Sequence, residues 1–393
     1  MRIAYVCADY GVPIFGCKGC SIHVQEVVRA LRNQGHQVTI FAARLGGEAP
    51  ADLADIPIHR LPQVPKADRA LREQAELATN LELRFALETA GVFDLIYERY
   101  SLWSFTAMEY AQTFGIPGIL EVNAPLIEEQ AQHRQLIHPQ KARQVAQRVF
   151  AAAAVLVAVS EGVADYLKTY PQALGRVEVV PNGVNAARFQ RQQPIANSDL
   201  RDLEPFTVGF VGTMKGWHGL PTLIKAFTQL RHSCPQARLL MVGDGPARPA
   251  LQDSLEQQGV GQAVDWSGKV SPDAIPPLLA KMDVAVAPYP ALEQFYFSPL
   301  KVYEYMAAGL PVVASDVGQL REVIQSGVNG LLCPAGDAAA LTQSLVVLQQ
   351  QPALRQRLGQ AAQDTILAQH TWHQRVAQIL DLARRALLIR EAV

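Results

Sequence analysis

The stretch "IFGCKGCSIHVQEVVRALRNQGHQV", residues 14–38, gathers groups that could do chemistry. Cys17 and Cys20 form a Cys-x-x-Cys pair, and His23 follows three residues later. Zinc would need further ligands, and redox work a thioredoxin-like setting. Cys7 falls inside an apolar strand pattern, while Cys234 and Cys333 lie far along the chain. The pair therefore reads as two small residues in a glycine loop, and no metal is expected. His23 falls in the first turn of the helix that follows, as a packing residue or as one facing a ligand.

A second constellation is "FSPLKVYEYMAAGLPVVAS", residues 297–315. Ser298 suits a helix N-cap and Pro299 the first helical position, where its missing N–H is no loss. A helix from 299 to about 308, stopped by Gly309 and Pro311, follows. Its N-terminus offers free N–H groups and the positive end of a dipole to a phosphate, and Lys301 adds a full charge. Glu304, one turn on, could accept two hydrogen bonds from the vicinal hydroxyls of a ribose. The plain alternative is a Lys–Glu surface pair. Three glycine turns at strand ends accompany this helix: "GFVGTMKGWHG" with Gly212, Lys215 and His218, "MVGDGP" with Gly243, and "SGKVSP" with Lys269 and Val270. Each alone is weak; together they describe a ligand mouth.

The elements that must position these residues alternate between strand and helix. In the first half "RIAYVCA", "HQVTIFAA", "DLIYERY", "PGILEVN", "VLVAVS" and "RVEVVPN" read as strands. A helix over 21–34, ended by Gly35, separates the first two, with Ile22, Val24, Val27, Val28 and Leu31 on one face. In the second half the strands are "FTVGFVG", "ARLLMVG", "AVDWSG", "VAVAP", "PVVAS" and "NGLLC". The pattern implies right-handed crossovers, parallel sheets and ligands at the carboxyl ends of strands. A polar break between Phe189 and Pro205 reads as a linker. The expected organisation is a Rossmann-like acceptor-side domain over 1–190, a nucleotide-sugar domain over 191–370, and a helical segment over 371–393 docking back on the first domain. Residues 67–90 read as one or two solvated helices.

The chain has 393 residues, a formal net charge of -1, 49% hydrophobic and 18% charged residues. That describes a globular protein with no global electrostatic case for a nucleic-acid partner. The chain runs straight into the first strand, so no secretory signal is expected, and the most apolar run, residues 149–159, is too short to span a bilayer. Five scattered cysteines fit a reducing compartment, so a cytoplasmic location is expected.

The motifs "VSEGVADYL", "VVPNGVN", "VGDGP", "SGKV" and "EYMAAGLPVVASDVGQLREVIQSGVNGLL", in this order, resemble those of family 4 glycosyltransferases. "GCSIHVQEVVRALRNQGHQVTIF" is similar to that family's glycine loop, helix and second strand. The resemblance covers most of the chain. It is densest over 180–334 and weakest over 46–90 and 126–148. It implies a GT-B fold, two Rossmann-like domains with parallel sheets facing a cleft. It also implies a UDP-, GDP- or ADP-sugar donor, a hydroxyl acceptor and retention of anomeric configuration. By the same resemblance Glu304 binds the ribose, the turn Ser298, Pro299, Leu300, Lys301 holds the diphosphate, and Lys269 and Val270 lie beside the base. Gly19 lets the first-domain loop approach the donor phosphates. Lys18 stands where relatives often have a second glycine, and its ammonium is available to donor or acceptor.

Several positions depart from the family pattern. Tyr296 occupies the place of a Glu eight residues before the ribose-binding one. Thr213 and His218 stand where an Arg and a Lys are usual, and Lys215 and Lys301 are the nearby cations that could restore charge opposite the leaving diphosphate. Asn123 replaces a frequent His; Glu121, two residues earlier, shares its side of the strand end. Both could serve the reacting sugar or merely cap the strand, and the leaving diphosphate can take the acceptor's proton. Arg99, ending another strand, binds an acceptor anion or pairs with Glu98 or Glu121. The basic stretch 133–148, with Arg134, Lys141, Arg143 and Arg148, is either a solvated helix or a peripheral contact with the inner face of a membrane. A nicotinamide dehydrogenase is disfavoured by the irregular first loop and by Arg44 after the second strand. A non-catalytic nucleotide- or glycan-binding protein on the same fold is the remaining alternative.

Overall fold

The computed structural model describes residues 1–65, 67–189, 205–292 and 295–391. The stretch between Phe189 and Pro205, read above as a linker, lies outside the described residues. The described chain divides into two units. Unit one comprises Met1–Gly183, Tyr296–Ser298 and the residues from Trp372 on; unit two comprises Val184–Phe295 and Pro299–Thr371.

Unit one holds a parallel sheet in the order β3-β2-β1-β4-β5-β6-β7. Its strands are β1 (Arg2–Cys7), β2 (Gln37–Ala42), β3 (Ile58–Arg60), β4 (Leu95–Arg99), β5 (Gly118–Val122), β6 (Val155–Ala158) and β7 (Val177–Val179). The central strands are apolar runs buried on both faces because helices cover both sides of the sheet. β3 is the strand missing from the sequence reading; its three residues are half exposed at the sheet edge. The strand order reverses between β1 and β4, which marks the crevice where such sheets bind ligands.

Unit two repeats the plan with the order β10-β9-β8-β11-β12-β13. These are β8 (Thr207–Val211), β9 (Arg238–Val242), β10 (Val264–Gly268), β11 (Val284–Ala287), β12 (Val312–Ser315) and β13 (Leu331–Cys333). Its reversal falls between β8 and β11.

The first helix, Gly19–Asn33, starts earlier than the sequence pattern suggests and is not one-faced. Ser21, His23, Gln25 and Glu26 are buried together with Val24, Val27, Val28 and Leu31. His23, Gln25 and Glu26 find partners, whereas the Ser21 hydroxyl has none among the described residues. Gln25 Nε2 donates to the carbonyls of Ile14 (2.8 Å) and Gly16 (3.1 Å), which ties the preceding loop to the helix. The basic stretch spends its apolar side internally: in the helix Pro139–Ala152, Ala142, Val145, Ala146, Val149 and Phe150 are core residues. Arg148 is held by Glu109 through two 2.9 Å hydrogen bonds. Residues 67–90 form two helices, Arg69–Ala78 and Asn80–Thr89. The last helix, Trp372–Glu391, belongs to unit one. Among the described residues no helix is long and apolar enough to cross a membrane.

Candidate functional site

In unit two the glycine turns lock together. Gly212 N–H donates to Val242 O (2.9 Å), Met214 N–H to Asp244 O (3.0 Å) and Gly243 N–H to Gly268 O (3.0 Å). The loops after β8, β9 and β10 thus form one ledge at the sheet's carboxyl end. Gly219 has φ 66°, and a Cβ there would lie 1.7 Å from Pro288 O, so the β8 loop can pack on the β11 loop only through glycine.

Lys301 stands over this ledge. It lies in the first turn of the helix Leu300–Ala307, which Tyr305 anchors: the Val211 N–H donates to the Tyr305 hydroxyl (2.7 Å). The Lys301 Nζ sits 4.3 Å from the Phe210 ring centre and 5.4 Å from that of Tyr289. A Cβ placed on Gly212 would come within 3.1 Å of Nζ. The ammonium is shut from solvent and has no hydrogen-bond partner among the described residues. Burial pushes its pKa down to about 7, with Glu304 on the next turn pulling the other way.

His218 Nδ1–H donates to Thr213 O at 2.6 Å. Burial and the charge of Lys301 push this imidazole down to about 3, so it is neutral and presents Nε2 as an acceptor. His218 therefore does not replace the cation usual at its position. Lys215 lies over the Trp217 ring, its Nζ 4.3 Å from the centre. Lys269 is exposed just after β10, and Val270 packs against the unit's core.

The expected cap needs correction. The helix begins at Leu300 with Pro299 as its N-cap, and no side chain caps it. Ser298 belongs to unit one, where its hydroxyl accepts from Asn182 N–H (3.2 Å) and its carbonyl from Asn182 Nδ2 (3.0 Å). Tyr296 is drawn the same way. Its hydroxyl donates to Glu129 Oε1 at 2.6 Å, and its carbonyl accepts from the Ser160 hydroxyl at 2.7 Å.

At the carboxyl end of unit one's sheet, two residues 98 positions apart meet. His23 Nε2 lies 2.8 and 2.9 Å from the two oxygens of Glu121, with both side chains buried. Burial would raise the Glu121 pKa, but the His23 charge and hydrogen bond and the Arg99 charge outweigh it and hold the carboxyl below its usual range. Arg99 stands directly across from Glu121 in the β4–β5 register. Its Nη1 and the Oδ1 of Asn123 are buried without hydrogen-bond partners among the described residues. Lys18 and Gly19 are exposed at the start of the first helix, and Cys17 and Cys20 are free thiols. Among the described residues no three His, Cys, Asp or Glu side chains converge as a metal site.

Sequence reasoning missed the His23–Glu121 contact, the aromatic setting of Lys301 and the role of Trp372, whose ring meets His23 edge-on at 4.8 Å. The only available signal was the alternation that puts Glu121 and Asn123 on one side of β5.

Two doubly wound parallel sheets, with polar groups at the carboxyl ends of their strands, are the architecture of the GT-B fold. Residues 205–351 match the family model "Glycosyl transferases group 1", and residues 18–188 match "Glycosyltransferase Family 4". The chain belongs to glycosyltransferase family 4. It is 24% identical over 397 residues to glycogen synthase of Mycobacterium tuberculosis, covering 95% of this chain and 92% of that protein. Among solved structures, sucrose-phosphate synthase from Thermosynechococcus elongatus superposes with a TM-score of 0.78 at 22% identity, covering 99% of this chain and 100% of the other. HepE from Anabaena, solved with UDP and glucose, gives 0.70 at 21% identity, covering 97% and 98%.

Proposed function

We propose that the protein is a retaining glycosyltransferase that moves a sugar from a nucleoside diphosphate sugar to a hydroxyl acceptor. The observation that carries this reading is Lys301, a buried cation without a hydrogen-bond partner among the described residues, poised over a glycine ledge at a sheet's point of reversal. A lone buried ammonium is costly unless a ligand anion meets it. A diphosphate is such an anion, and the presence of UDP in the HepE structure supports the choice. Glu304 accepts from the ribose hydroxyls, and Lys269 and Val270 lie beside the base.

In the reaction the bond between C1 of the sugar and the diphosphate oxygen breaks. The acceptor oxygen bonds to C1 on the same face, and the acceptor's proton passes to the departing diphosphate. Lys301 and Lys215 stabilise the charge that develops on that leaving group. Unit one serves the acceptor through Arg99 and Asn123.

Titration of UDP, GDP and ADP into the protein, followed by nucleotide-release assays with the matching sugars, tests the reading. Absence of binding by all three nucleotides would refute it. Tyr296 favours a second reading, nucleotide binding without turnover: it stands where the family pattern has a glutamate, and its hydroxyl donates to Glu129. Tight nucleotide binding with no release from any donor across a broad acceptor panel would select that reading.

A further inference from the structure

The His23–Glu121 pair is buried, and His23 Nε2 lies within hydrogen-bond distance of both carboxylate oxygens. A buried ionic pair adds little to stability compared with apolar residues of the same volume, so its value lies in what it holds. It holds two things. Glu121 and Arg99 face each other across the β4–β5 register without a direct ion pair among the described residues, yet the carboxylate's charge sustains the guanidinium. Asn123 directly follows the strand that carries Glu121. Trp372, edge-on to the imidazole, fixes the ring from the other direction. The result is a buried donor, Arg99 Nη1, and a buried acceptor, Asn123 Oδ1, both uncommitted at the ends of adjacent strands. Cys7, Cys20 and Tyr5 also surround the guanidinium and offer it no carboxylate.

We propose that His23 and Glu121, braced by Trp372, position Arg99 and Asn123 for an acceptor that presents an anionic group beside a hydroxyl, so that the acceptor is an anionic polyol. The inference rests on the glycosyltransferase reading. Arg99 donates to the anionic oxygen, and Asn123 Oδ1 accepts from a hydroxyl. Arg99 and Asn123 touch the substrate; His23, Glu121 and Trp372 act through them.

The test is calorimetric binding to the full chain, with and without UDP. The probes are myo-inositol 1-phosphate, fructose 6-phosphate and glucuronate, each beside its neutral parent, so that phosphate and carboxylate are told apart. At least one anionic member is expected to bind about tenfold or more tightly than its parent, and Arg99→Gln to remove that preference. His23→Gln and Glu121→Gln should weaken the same ligand by about tenfold while UDP affinity stays within about twofold. A purely structural pair would lower the melting temperature and leave affinity in the folded protein unchanged. Should either variant fail to fold, Trp372→Phe and Asn123→Ala carry the test, each expected to weaken the anionic ligand and spare UDP. The proposal is overturned if no anionic probe binds up to about 10 mM, where any specific site would register. It is equally overturned if the preference survives Arg99→Gln, or if all positioning variants bind like wild type. Failure of UDP alone to bind would instead refute the donor reading, and anion binding to the unloaded protein would still judge Arg99.

Discussion

Nucleoside diphosphate binding should take up a proton at Lys301. The ammonium has a pKa of about 7 because aromatic rings and backbone, not water, surround it. A phosphate brought to Nζ restores the charged form, so only the protonated fraction of free protein is ready to bind. With that pKa, roughly a quarter is protonated at pH 7.5 and about one hundredth at pH 9.0. Affinity for UDP should therefore fall about twentyfold over this range, the slope of log affinity approaching -1. The window avoids the phosphate's own titration near pH 6. His218, pushed to about 3, does not titrate in it either, and Tyr289 is pushed upward by burial, out of reach. Calorimetry in two buffers of different ionisation enthalpy gives the proton count directly. Lys301→Met should bind about 10- to 100-fold more weakly at pH 7.5, the value of a charge-assisted hydrogen bond, with the slope gone. A flat profile in the wild type, or an equal slope in the variant, would refute the reasoning.

Three further outcomes follow from the same structure. Glu304→Ala should weaken UDP about 10- to 100-fold by removing a charged acceptor from the ribose, measured against unchanged thermal stability. Gly219→Ala should cost at least about 2 kcal/mol in chemical denaturation, since its Cβ would overlap Pro288 O at a left-handed backbone position. Glu98 is buried with one oxygen unpartnered and its pKa raised to about 7, so stability should fall as pH rises from about 4.5 to 7, while the unfolded chain ionises and the folded one does not. Glu98→Gln should thus melt higher than wild type at pH 8, the advantage shrinking toward pH 4.5.

The sheets were largely legible because buried parallel strands are continuous apolar runs that need no partner to be recognised. Ile58–Arg60 escaped because a three-residue, half-exposed edge strand carries no such run. The helix bearing Lys301 and Glu304 was placed within one residue, but its cap was misread. Ser298 has the right chemistry for a cap, yet Asn182 claims its hydroxyl, a partner 116 residues away that spacing cannot reveal. His23 was read as a first-turn residue of open role, and Glu121 as a strand-end residue. Their contact depends on how the start of the first helix meets the end of β5, 98 residues away. Local periodicity sets the helix; only the assembled sheet sets what its buried polar residues meet.

The central claim is tested most directly by incubating the protein with UDP-glucose, GDP-glucose and ADP-glucose and a panel of neutral and anionic polyols, then reading nucleotide release and the product's anomeric linkage by proton NMR. The account predicts stoichiometric release of one nucleotide with an axial, retained glucosyl linkage, lost in Lys301→Met. An equatorial linkage, or no release from any donor, would contradict it.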